Sequence, residues 1–380
     1  MKKVLILFSM SFEPYQGRYL RAYNEARALV DSGYEVTVLG WDRSGKSRPA
    51  ETRDGIHIER IHVAAPDTSG AKSLPNFLRF AARVVSHLGN RRFDMIHCHN
   101  LQLLPLAICL KTIKKAPLIF DSCEPDYYAL YPAGLRGAVS FLEKRLVNRA
   151  DTVFVHNNYQ VRKYRSMGHP SVSLIGSYPR LDMIEGFAPE PTRNGKTVIG
   201  RIGSIYRDNG IEEIMAGFRV LLERTRNVQL FLAGRVFEAF QDEFNRLIRG
   251  MEENVTVLGA FDSAEMPRLY GRIDISIMVY RRSLWFQNIT PTKFFDSLAF
   301  GVPVIVSDMG GLKEIVAQYD CGLVVDEQNP AEVADAMEAM MSQPARRKQM
   351  GLNGTRAVRE QFNWDLMRKN LLTTYDRLTA

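Results

Sequence analysis

Short apolar runs alternate with amphipathic stretches along the first half of the chain. The runs are rich in β-branched residues, as in strands covered on both faces, and the stretches between them have helical periodicity. Strands separated by helical crossovers pair in parallel, so the pattern predicts a doubly wound α/β domain. The predicted strands are Val4–Phe8, Glu35–Leu39, Ile56–Val63, Asp94–His97, Leu118–Asp121 and Thr152–His156, and the predicted helices include Arg18–Asp31 and Leu101–Leu110.

The alternation stops at Ala188–Lys196, a segment rich in Pro, Gly and polar residues, and then starts again. Such a segment is typical of a linker. We therefore expect two domains, residues 1–187 and 188–362. The second contains predicted strands at Thr197–Ile202, Val228–Ala233, Val255–Leu258, Ile273–Met278, Val302–Val306 and Gly322–Val325, and predicted helices at Ile211–Arg224 and Pro330–Met341, with another ending at Arg249.

One segment, residues 290–315, combines a predicted helix with a buried strand and a glycine loop. Lys293–Phe300 is amphipathic, and Gly301 stands where a helix C-terminal cap favours the left-handed region. Val302–Ser307 is an apolar strand that leads into a loop containing Gly310. Ligands bind at the carboxyl ends of strands in open α/β sheets, and a helix N-terminus binds phosphate. The residues at that helix start are Thr290, Thr292 and Lys293.

Composition and charge narrow the class of protein. With 46% hydrophobic and 24% charged residues among 380, the chain is an ordinary globular one. Its four cysteines form no CxxC pair, which favours a reducing cytoplasm, and the opening MKKVLILFSM is interpreted as a buried strand rather than an export signal. Residues 1–180 carry a net charge of +11 and residues 181–380 carry −3. The basic half suits anionic lipid or a polyanionic acceptor, but lacks the interleaved aromatics of a nucleic-acid surface.

The segment that begins at Thr290 resembles the donor-site segment of the retaining group 1 (GT4-like) glycosyltransferases, which have the GT-B fold. That family has Pro-x-Lys-x-x-Glu followed by Ala-x-Gly-x-Pro-Val-Ile. Other segments resemble the family in order and spacing, among them RRFDMIHCHN, PLIFDSCEPDYY and IGRIGSIYRDNGIEEI. The residues that match the donor-site pattern are Pro291, Lys293, Ala299, Gly301, Pro303, Val304 and Ile305.

The resemblance implies roles for residues of the second domain. Asp296, at the family's Glu position, would accept hydrogen bonds from the donor ribose, and Asn288 replaces the Glu that contacts the sugar. The family's phosphate-binding Arg and Lys fall on Ser204 and Asn209, so Arg207 in the same loop is a candidate substitute. The remaining donor-site candidates are Gly203, for close approach of the phosphates, and Thr290, Thr292 and Lys293.

The first domain departs from the family at its catalytic histidine, where this chain has Cys123. Acceptor handling could then fall to Asp121, Glu124, Asp126, His97 or His99, and we favour His99 of the two histidines because it lies further along its strand. A zinc site formed by His97, Cys98, His99 and Cys123 has no usual spacing, so no metal is predicted. The family's first loop and the Arg that follows it correspond to Gly17 and Arg18, on the acceptor side.

The resemblance implies two Rossmann-like domains facing across a cleft, with the last helix, 363–380, crossing back to the first. It implies metal-independent, retaining transfer of a sugar, a hexosyltransferase type of reaction used in polysaccharide biosynthesis. No cofactor is expected beyond the donor, a UDP-sugar by preference and a GDP-sugar as the other candidate. The acceptor would be a lipid or glycan. The basic amphipathic stretch Lys72–Arg92 suits either an anionic membrane surface or ordinary packing, so the chain is expected either free in the cytoplasm or peripheral at the inner face of the cell membrane.

Three other functions remain open at this stage. The departures at Cys123, Ser204, Asn209 and Asn288 allow a catalytically impaired protein that acts as partner or scaffold of an active glycosyltransferase. Carboxylates such as Glu124 and Asp126 would allow epimerisation of a sugar nucleotide on the same fold. The basic half would allow a nucleic-acid binder, although the sequence favours no nucleic-acid partner.

Overall fold

The structure is a computed structural model that describes residues 1–13, 20–65, 74–187 and 195–379. Contacts divide the chain into two compact units. The first unit comprises Met1–Gly176 with Met367–Ala380, and the second comprises Ser177–Leu366. The division at 187/188 predicted from the sequence rests on the segment Ala188–Lys196, of which residues 188–194 lie outside the described residues.

The first unit is built on a sheet with the strand order β3-β4-β2-β1-β5-β6-β7-β8. Neighbouring strands are parallel except for β3, which pairs antiparallel with β4. The chain leaves β1 on one side and returns on the other at β5, so the order reverses between these two strands. The strands are β1 (Lys3–Phe8), β2 (Glu35–Asp42), β3 (Ala50–Arg53), β4 (Ile56–His62), β5 (Met95–His99), β6 (Leu118–Asp121), β7 (Thr152–Val155) and β8 (Val172–Leu174).

Helices cover this sheet and bury their apolar sides against it. They are α1 (Leu20–Asp31), α2 (Leu74–Leu88), α3 (Leu104–Lys114), α4 (Arg136–Val147) and α5 (Asn158–Ser166). The end of the last helix of the chain, α13 (Trp364–Thr379), belongs to the same unit. Its Tyr375 is fully buried there.

The second unit has a parallel sheet with the order β11-β10-β9-β12-β13-β14. Here the order reverses between β9 and β12. The strands are β9 (Thr197–Ile202), β10 (Val228–Ala233), β11 (Val255–Gly259), β12 (Ile275–Met278), β13 (Val304–Ser307) and β14 (Gly322–Val325), and the helices are α6 (Ile211–Arg224), α7 (Gln241–Ile248), α8 (Met266–Tyr270), α9 (Thr292–Ala299), α10 (Leu312–Tyr319), α11 (Pro330–Ser342) and α12 (Pro344–Glu360).

The central strands of both sheets are buried on two faces, as the apolar runs predicted. Every residue of β12 and β13 is buried, and so are Val4–Phe8 of β1. The predicted doubly wound architecture is therefore confirmed in each unit. The carboxyl ends of parallel strands meet at one edge of a sheet, and ligands bind where the strand order reverses. This places candidate sites at the ends of β1 and β5 in the first unit and of β9 and β12 in the second.

Helix α2 packs in part and exposes the rest of its apolar side. Phe80, Val84 and Leu88 are buried, whereas Leu74 and Leu78 are 55% and 58% exposed. Lys72, at the start of the predicted basic stretch, lies outside the described residues. Among the helices of the described residues, none has the length and apolar character needed to cross a bilayer.

Candidate functional sites in the two units

Helix α9 presents its first turn at the carboxyl edge of the second unit's sheet. Phe294, Phe295 and Leu298 are buried and anchor the helix, and Thr292 is exposed at its start. On the other side Lys293 Nζ lies 3.0 Å from Asp296 Oδ2, an i,i+3 ion pair in which the side chains are 30% and 13% exposed. The two predicted donor-site residues therefore lie together, with one charge of each sign.

The loop before α9 is held against the glycine loop that follows β13. Thr290 Oγ1 donates a hydrogen bond of 2.8 Å to the Gly310 carbonyl, and Gly310 N–H donates to the Gln287 carbonyl at 2.8 Å. Gly310 has φ +54°, and a Cβ there would lie 2.0 Å from the Ile289 carbonyl oxygen, so only glycine fits. Asn288 is half-buried in this loop.

The loop after β9 is the second wall of this site. Gly203 has φ +136°, and a Cβ on it would lie 3.9 Å from Lys293 Cγ. Asn209 is buried and donates from Nδ2 to the Ser204 carbonyl at 2.6 Å, so it shapes the loop. Arg207 points outward, 62% exposed, and is paired with Glu243. The structure thus brings Gly203 to Lys293, while Arg207 has a carboxylate partner of its own.

Sequence reasoning missed one cation at this edge, Arg201. It occupies the fifth position of β9, and its side chain is only 2% exposed. Its Nη1 lies 3.6 Å from the position that a Cβ on Gly203 would take. The signal in the sequence was an arginine within the otherwise apolar run VIGRI.

In the first unit a buried ionic cluster lies where the strand order reverses. Arg21 Nη2 pairs with Asp121 Oδ2 at 2.7 Å and Arg21 Nε with Glu25 Oε1 at 3.1 Å. His99 Nε2 lies 3.2 Å from Glu25 Oε2. The members of the buried ionic cluster are Arg21, Glu25, His97, His99, Asp121 and His156. Glu25, His97, His99 and Asp121 are essentially inaccessible to solvent, and the side chains of Arg21 and His156 are 9% and 22% exposed.

Burial and the neighbouring charges set the protonation of this cluster. Burial lowers the pKa of His99 and of His156 to about 4, so both imidazoles are neutral at pH 7. Burial raises the pKa of Glu25 to about 8, despite the opposing Arg21 charge. Burial alone would raise the pKa of Asp121, but the adjacent Arg21 and the neighbouring histidines together outweigh burial and hold that pKa well below its ordinary value. A charged Arg21–Asp121 pair with a protonated Glu25 leaves the cluster neutral.

The ligand atoms of Glu25, His97, His99 and Asp121 lie within 4.8 Å of one another, a set that could hold a metal ion. The set differs from the cysteine-containing zinc site considered from the sequence. Arg21 already pairs with both carboxylates, so the cluster has a cation within it. We therefore interpret the cluster as a structural network, in which Tyr375 OH bonds His97 Nδ1 at 2.8 Å.

Next to the cluster, Glu124 has a different environment from the other predicted acceptor-side residues. Within the described part of the chain its carboxylate makes no hydrogen bond or ion pair, and burial raises its pKa to about 7. His99 is as buried as His97, with Cys123 Sγ 3.6 Å from its Nδ1. Asp126 is buried and accepts a hydrogen bond of 2.9 Å from Tyr159. Gly17 and Arg18 lie outside the described residues.

Family models match both halves of the chain. Residues 183–357 match the model of the family described as glycosyl transferases group 1, and residues 17–175 match the glycosyl transferase 4-like domain. Spore coat protein SA of Bacillus subtilis is 20% identical over 95% of each chain. A GDP-mannose-dependent alpha-(1-6)-phosphatidylinositol monomannoside mannosyltransferase of Mycobacterium tuberculosis is 23% identical over 60% of this chain and 62% of its own.

Two solved structures have the same fold. Sucrose-phosphate synthase from Thermosynechococcus elongatus superposes with a TM-score of 0.82 at 18% identity, covering 99% of both chains. Anabaena HepE, solved with UDP-glucose, superposes with a TM-score of 0.75 at 17% identity, covering 99% of this chain and 100% of its own. The two family models and the shared fold show that the chain belongs to the GT4-like group 1 glycosyltransferases, sugar-nucleotide-dependent enzymes of the GT-B fold.

Proposed function

We propose that the chain transfers a hexose from a nucleoside diphosphate sugar to a hydroxyl of a lipid or glycan acceptor, with retention of the anomeric configuration. The observation that carries the proposal is the Lys293–Asp296 pair near the start of α9, beside Gly203 at the reversal point of the second sheet. A carboxylate can accept two hydrogen bonds from the vicinal ribose hydroxyls, and a cation at a helix start suits the diphosphate.

The donor would release its diphosphate as the bond from the anomeric carbon to the phosphate oxygen breaks. Negative charge then develops on the leaving group, and fixed cations such as Lys293 stabilise it. The sequence contains no Asp-x-Asp pair of the kind that holds a metal on a sugar nucleotide. We therefore propose that the protein's cations act without a metal ion. The acceptor hydroxyl attacks the same face, and its proton passes to a base.

Glu124 is the base that the first unit supports best. Its carboxylate has no partner within the described residues, and its raised pKa of about 7 suits proton transfer near neutral pH. Asp126 already accepts a hydrogen bond from Tyr159, and His99 is enclosed in the buried ionic cluster. Cys123 stands at the family's histidine position, but burial raises the pKa of its thiol well above the ordinary value, so it cannot accept the proton near neutral pH. Glu124 can take that role.

A UDP-sugar is the preferred donor, because HepE was solved with UDP-glucose, and a GDP-sugar is the other candidate, because the mycobacterial relative is named for GDP-mannose. That relative's name also gives a phosphatidylinositol monomannoside, which supports a lipid acceptor. A lipid acceptor would bring the chain to the inner face of the membrane, where the exposed Leu74 and Leu78 of α2 suit contact with lipid. Loss of sedimentation with anionic vesicles in a Leu74→Ser, Leu78→Ser variant would support that contact, and unchanged sedimentation would contradict it.

The test is proton NMR of the products formed from UDP-glucose and GDP-mannose, with phosphatidylinositol vesicles or oligosaccharides as acceptors. EDTA is present throughout. We expect an α-linked product from an α-linked donor, at a rate that EDTA does not change. A β-linked product would contradict retention, and recovery of activity only after Mg²⁺ or Mn²⁺ is added would contradict metal independence.

A further inference from the structure

Arg201 places a permanent positive charge inside the second unit. It lies on β9, next to the point where the strand order reverses, and its side chain is 2% exposed. A guanidinium stays protonated in proteins, so burial cannot neutralise it as it can a lysine or a histidine. A charge withdrawn from water in this way is unfavourable unless an anion compensates it.

No such anion belongs to the described chain. No carboxylate of the described residues lies within 4.0 Å of Arg201, the limit for an ion pair. Its Nη2 donates a hydrogen bond of 2.9 Å to the Asn209 carbonyl, the ring of Tyr280 lies 5.6 Å from Cζ, and the buried Nε has no acceptor among the described residues. Within the described part of the chain, Arg201 therefore has neutral partners only.

The first unit shows what a compensated buried arginine looks like in the same chain. Arg60, with a side chain 1% exposed, pairs with Glu51 at 2.6 Å. Arg21, 9% exposed, pairs with Asp121 at 2.7 Å. Arg201 is as buried as either but has no such carboxylate among the described residues. The missing partner is what an arginine reserved for a bound anion would show.

The remaining nitrogen of Arg201 points towards the candidate donor site. A Cβ on Gly203 would lie 3.6 Å from Arg201 Nη1 and 3.9 Å from Lys293 Cγ. The absent side chain of Gly203 thus leaves room flanked by two cationic side chains, next to the first turn of α9. A diphosphate has the charge and the length to contact both.

We propose that Arg201 binds the diphosphate of the donor from within β9. It would replace the family's phosphate-binding arginine, whose position is occupied here by Ser204. The inference rests on the proposed function and names a further donor-binding residue for it. It gives a reason why the chain can lack both loop cations, at Ser204 and Asn209, and still hold a sugar nucleotide. It also explains why the exposed Arg207 can remain paired with Glu243.

The test compares Arg201→Met and Arg201→Lys with the wild-type protein and with Arg224→Met. Arg224 is a control on the same unit, because it pairs on the surface with Asp335 and Glu338. Isothermal titration calorimetry measures the affinity for UDP, uridine and inorganic pyrophosphate, and differential scanning calorimetry measures the melting temperature of the ligand-free proteins. Uridine contains the base and ribose without the phosphates.

We expect Arg201→Met to weaken the binding of UDP and of pyrophosphate about 10- to 100-fold, as for a lost charged hydrogen bond, and to leave the affinity for uridine unchanged. Arg201→Lys should recover part of the loss, and Arg224→Met should bind as the wild type does. Since the methionine removes an uncompensated charge, the ligand-free melting temperature should stay the same or rise. If Arg201 had a purely structural role, Arg201→Met would instead lower the melting temperature and leave the ratio of UDP affinity to uridine affinity unchanged. That result would overturn the inference.

Two outcomes separate this inference from the proposed function. Wild-type protein that binds UDP, with an Arg201→Met variant that binds it equally well, would remove Arg201 from the site and leave the proposed function standing. Wild-type protein that binds pyrophosphate through Arg201 but no nucleotide would confirm the anion site and contradict the proposed function. Failure to bind either pyrophosphate or UDP would overturn both.

Discussion

Glu124 is the one predicted acceptor-side residue with a carboxylate left free by its described neighbours. Burial raises its pKa to about 7, and no hydrogen bond or ion pair within the described residues holds it. It follows Cys123 directly, so it is close to the position where the family has its histidine. A base is thus available beside Cys123, where this chain lacks the histidine of the family pattern.

Replacing Glu124 by Gln should lower kcat/KM about 100-fold, the usual contribution of a positioned base, and change its pH dependence. The wild-type carboxyl loses its proton as the pH rises through about 7, so kcat/KM should rise between pH 6 and pH 8. The variant has no such group and should show a flat profile over that range. Glu35→Gln is the control, because Glu35 begins β2 at the opposite edge of the sheet. A variant that keeps the wild-type rate and profile would exclude Glu124 as the base.

At this scale the sequence predicted residue types better than residue partners. Lys293 and Asp296 could be predicted from one segment, because residues three positions apart on a helix are neighbours on its surface. Asp126 could not be judged in this way, since its partner Tyr159 follows on another helix. Arg201 was missed for the same reason, because the absence of a carboxylate around it is a property of the folded unit.

The loops at the carboxyl edge of the second sheet depend on backbones that approach closely. Gly234, after β10, has φ +152°, and a Cβ on it would lie 1.9 Å from the Gly203 carbonyl oxygen. Gly203 N–H in turn donates to the Ala233 carbonyl at 2.8 Å. The position of Gly203, and with it the space between Arg201 and Lys293, is therefore fixed by the adjacent strand.

Gly234→Ala should destabilise the second unit by about 3 kcal/mol or more, because backbone strain and a clash with a carbonyl add together. Gly259→Ala is a matched control, since Gly259 has φ +82° with nothing within 4 Å of its Cβ position, and left-handed strain alone costs about 1–2 kcal/mol. Urea unfolding measures both free energies. Equal losses in the two variants would show that the approach of Gly234 to Gly203 is not tight.

The sequence predicted the buried strands closely and missed the weakly patterned elements. β9, β10 and α6 have the predicted bounds, because long apolar runs and a clear helical period define them. Strand β3 (AETR) was not predicted, since it is mostly exposed and has no apolar face. Helix α12 was missed as well, because its polar sequence buries only a few small or flexible residues.

Across the whole molecule, buried titratable groups should give the stability a maximum near pH 6.5. Burial lowers the pKa of His97, His99 and His156, so the unfolded chain binds more protons below pH 6.5 and the free energy of unfolding rises towards that pH. Burial raises the pKa of Glu25 to about 8 and of Glu124 to about 7. The folded chain then holds the extra protons, so the free energy of unfolding falls as the pH rises to 8.

Urea unfolding of the wild type and of Glu25→Gln at pH 5, 6.5 and 8 tests this profile. The neutral amide cannot ionise, so the variant should lose much less stability between pH 6.5 and pH 8 than the wild type does. A wild-type free energy that keeps rising through pH 8 would mean that Glu25 is ionised in the folded protein, with the Arg21 charge outweighing burial.

The departures from the family pattern all concern single residues, whereas the fold and the order of the segments are intact. Asp296 replaces a glutamate, Asn288 replaces another, and Cys123 replaces a histidine. Such changes are compatible with a working enzyme only if the donor site still binds its ligand. A protein that had become a scaffold would keep the fold without that binding.

Thermal stabilisation by a panel of UDP-, GDP-, ADP- and dTDP-sugars tests the central claim most directly, because a ligand that binds only the folded chain must raise its melting temperature. The variants are Asp296→Asn and, as a control, Asp335→Asn, which changes an exposed aspartate paired with Arg224. We predict that one nucleotide, UDP before GDP, raises the melting temperature, that Asp296→Asn abolishes the shift, and that Asp335→Asn keeps it. No shift with any sugar nucleotide at millimolar concentration would contradict the account and favour a scaffold that has lost its donor site.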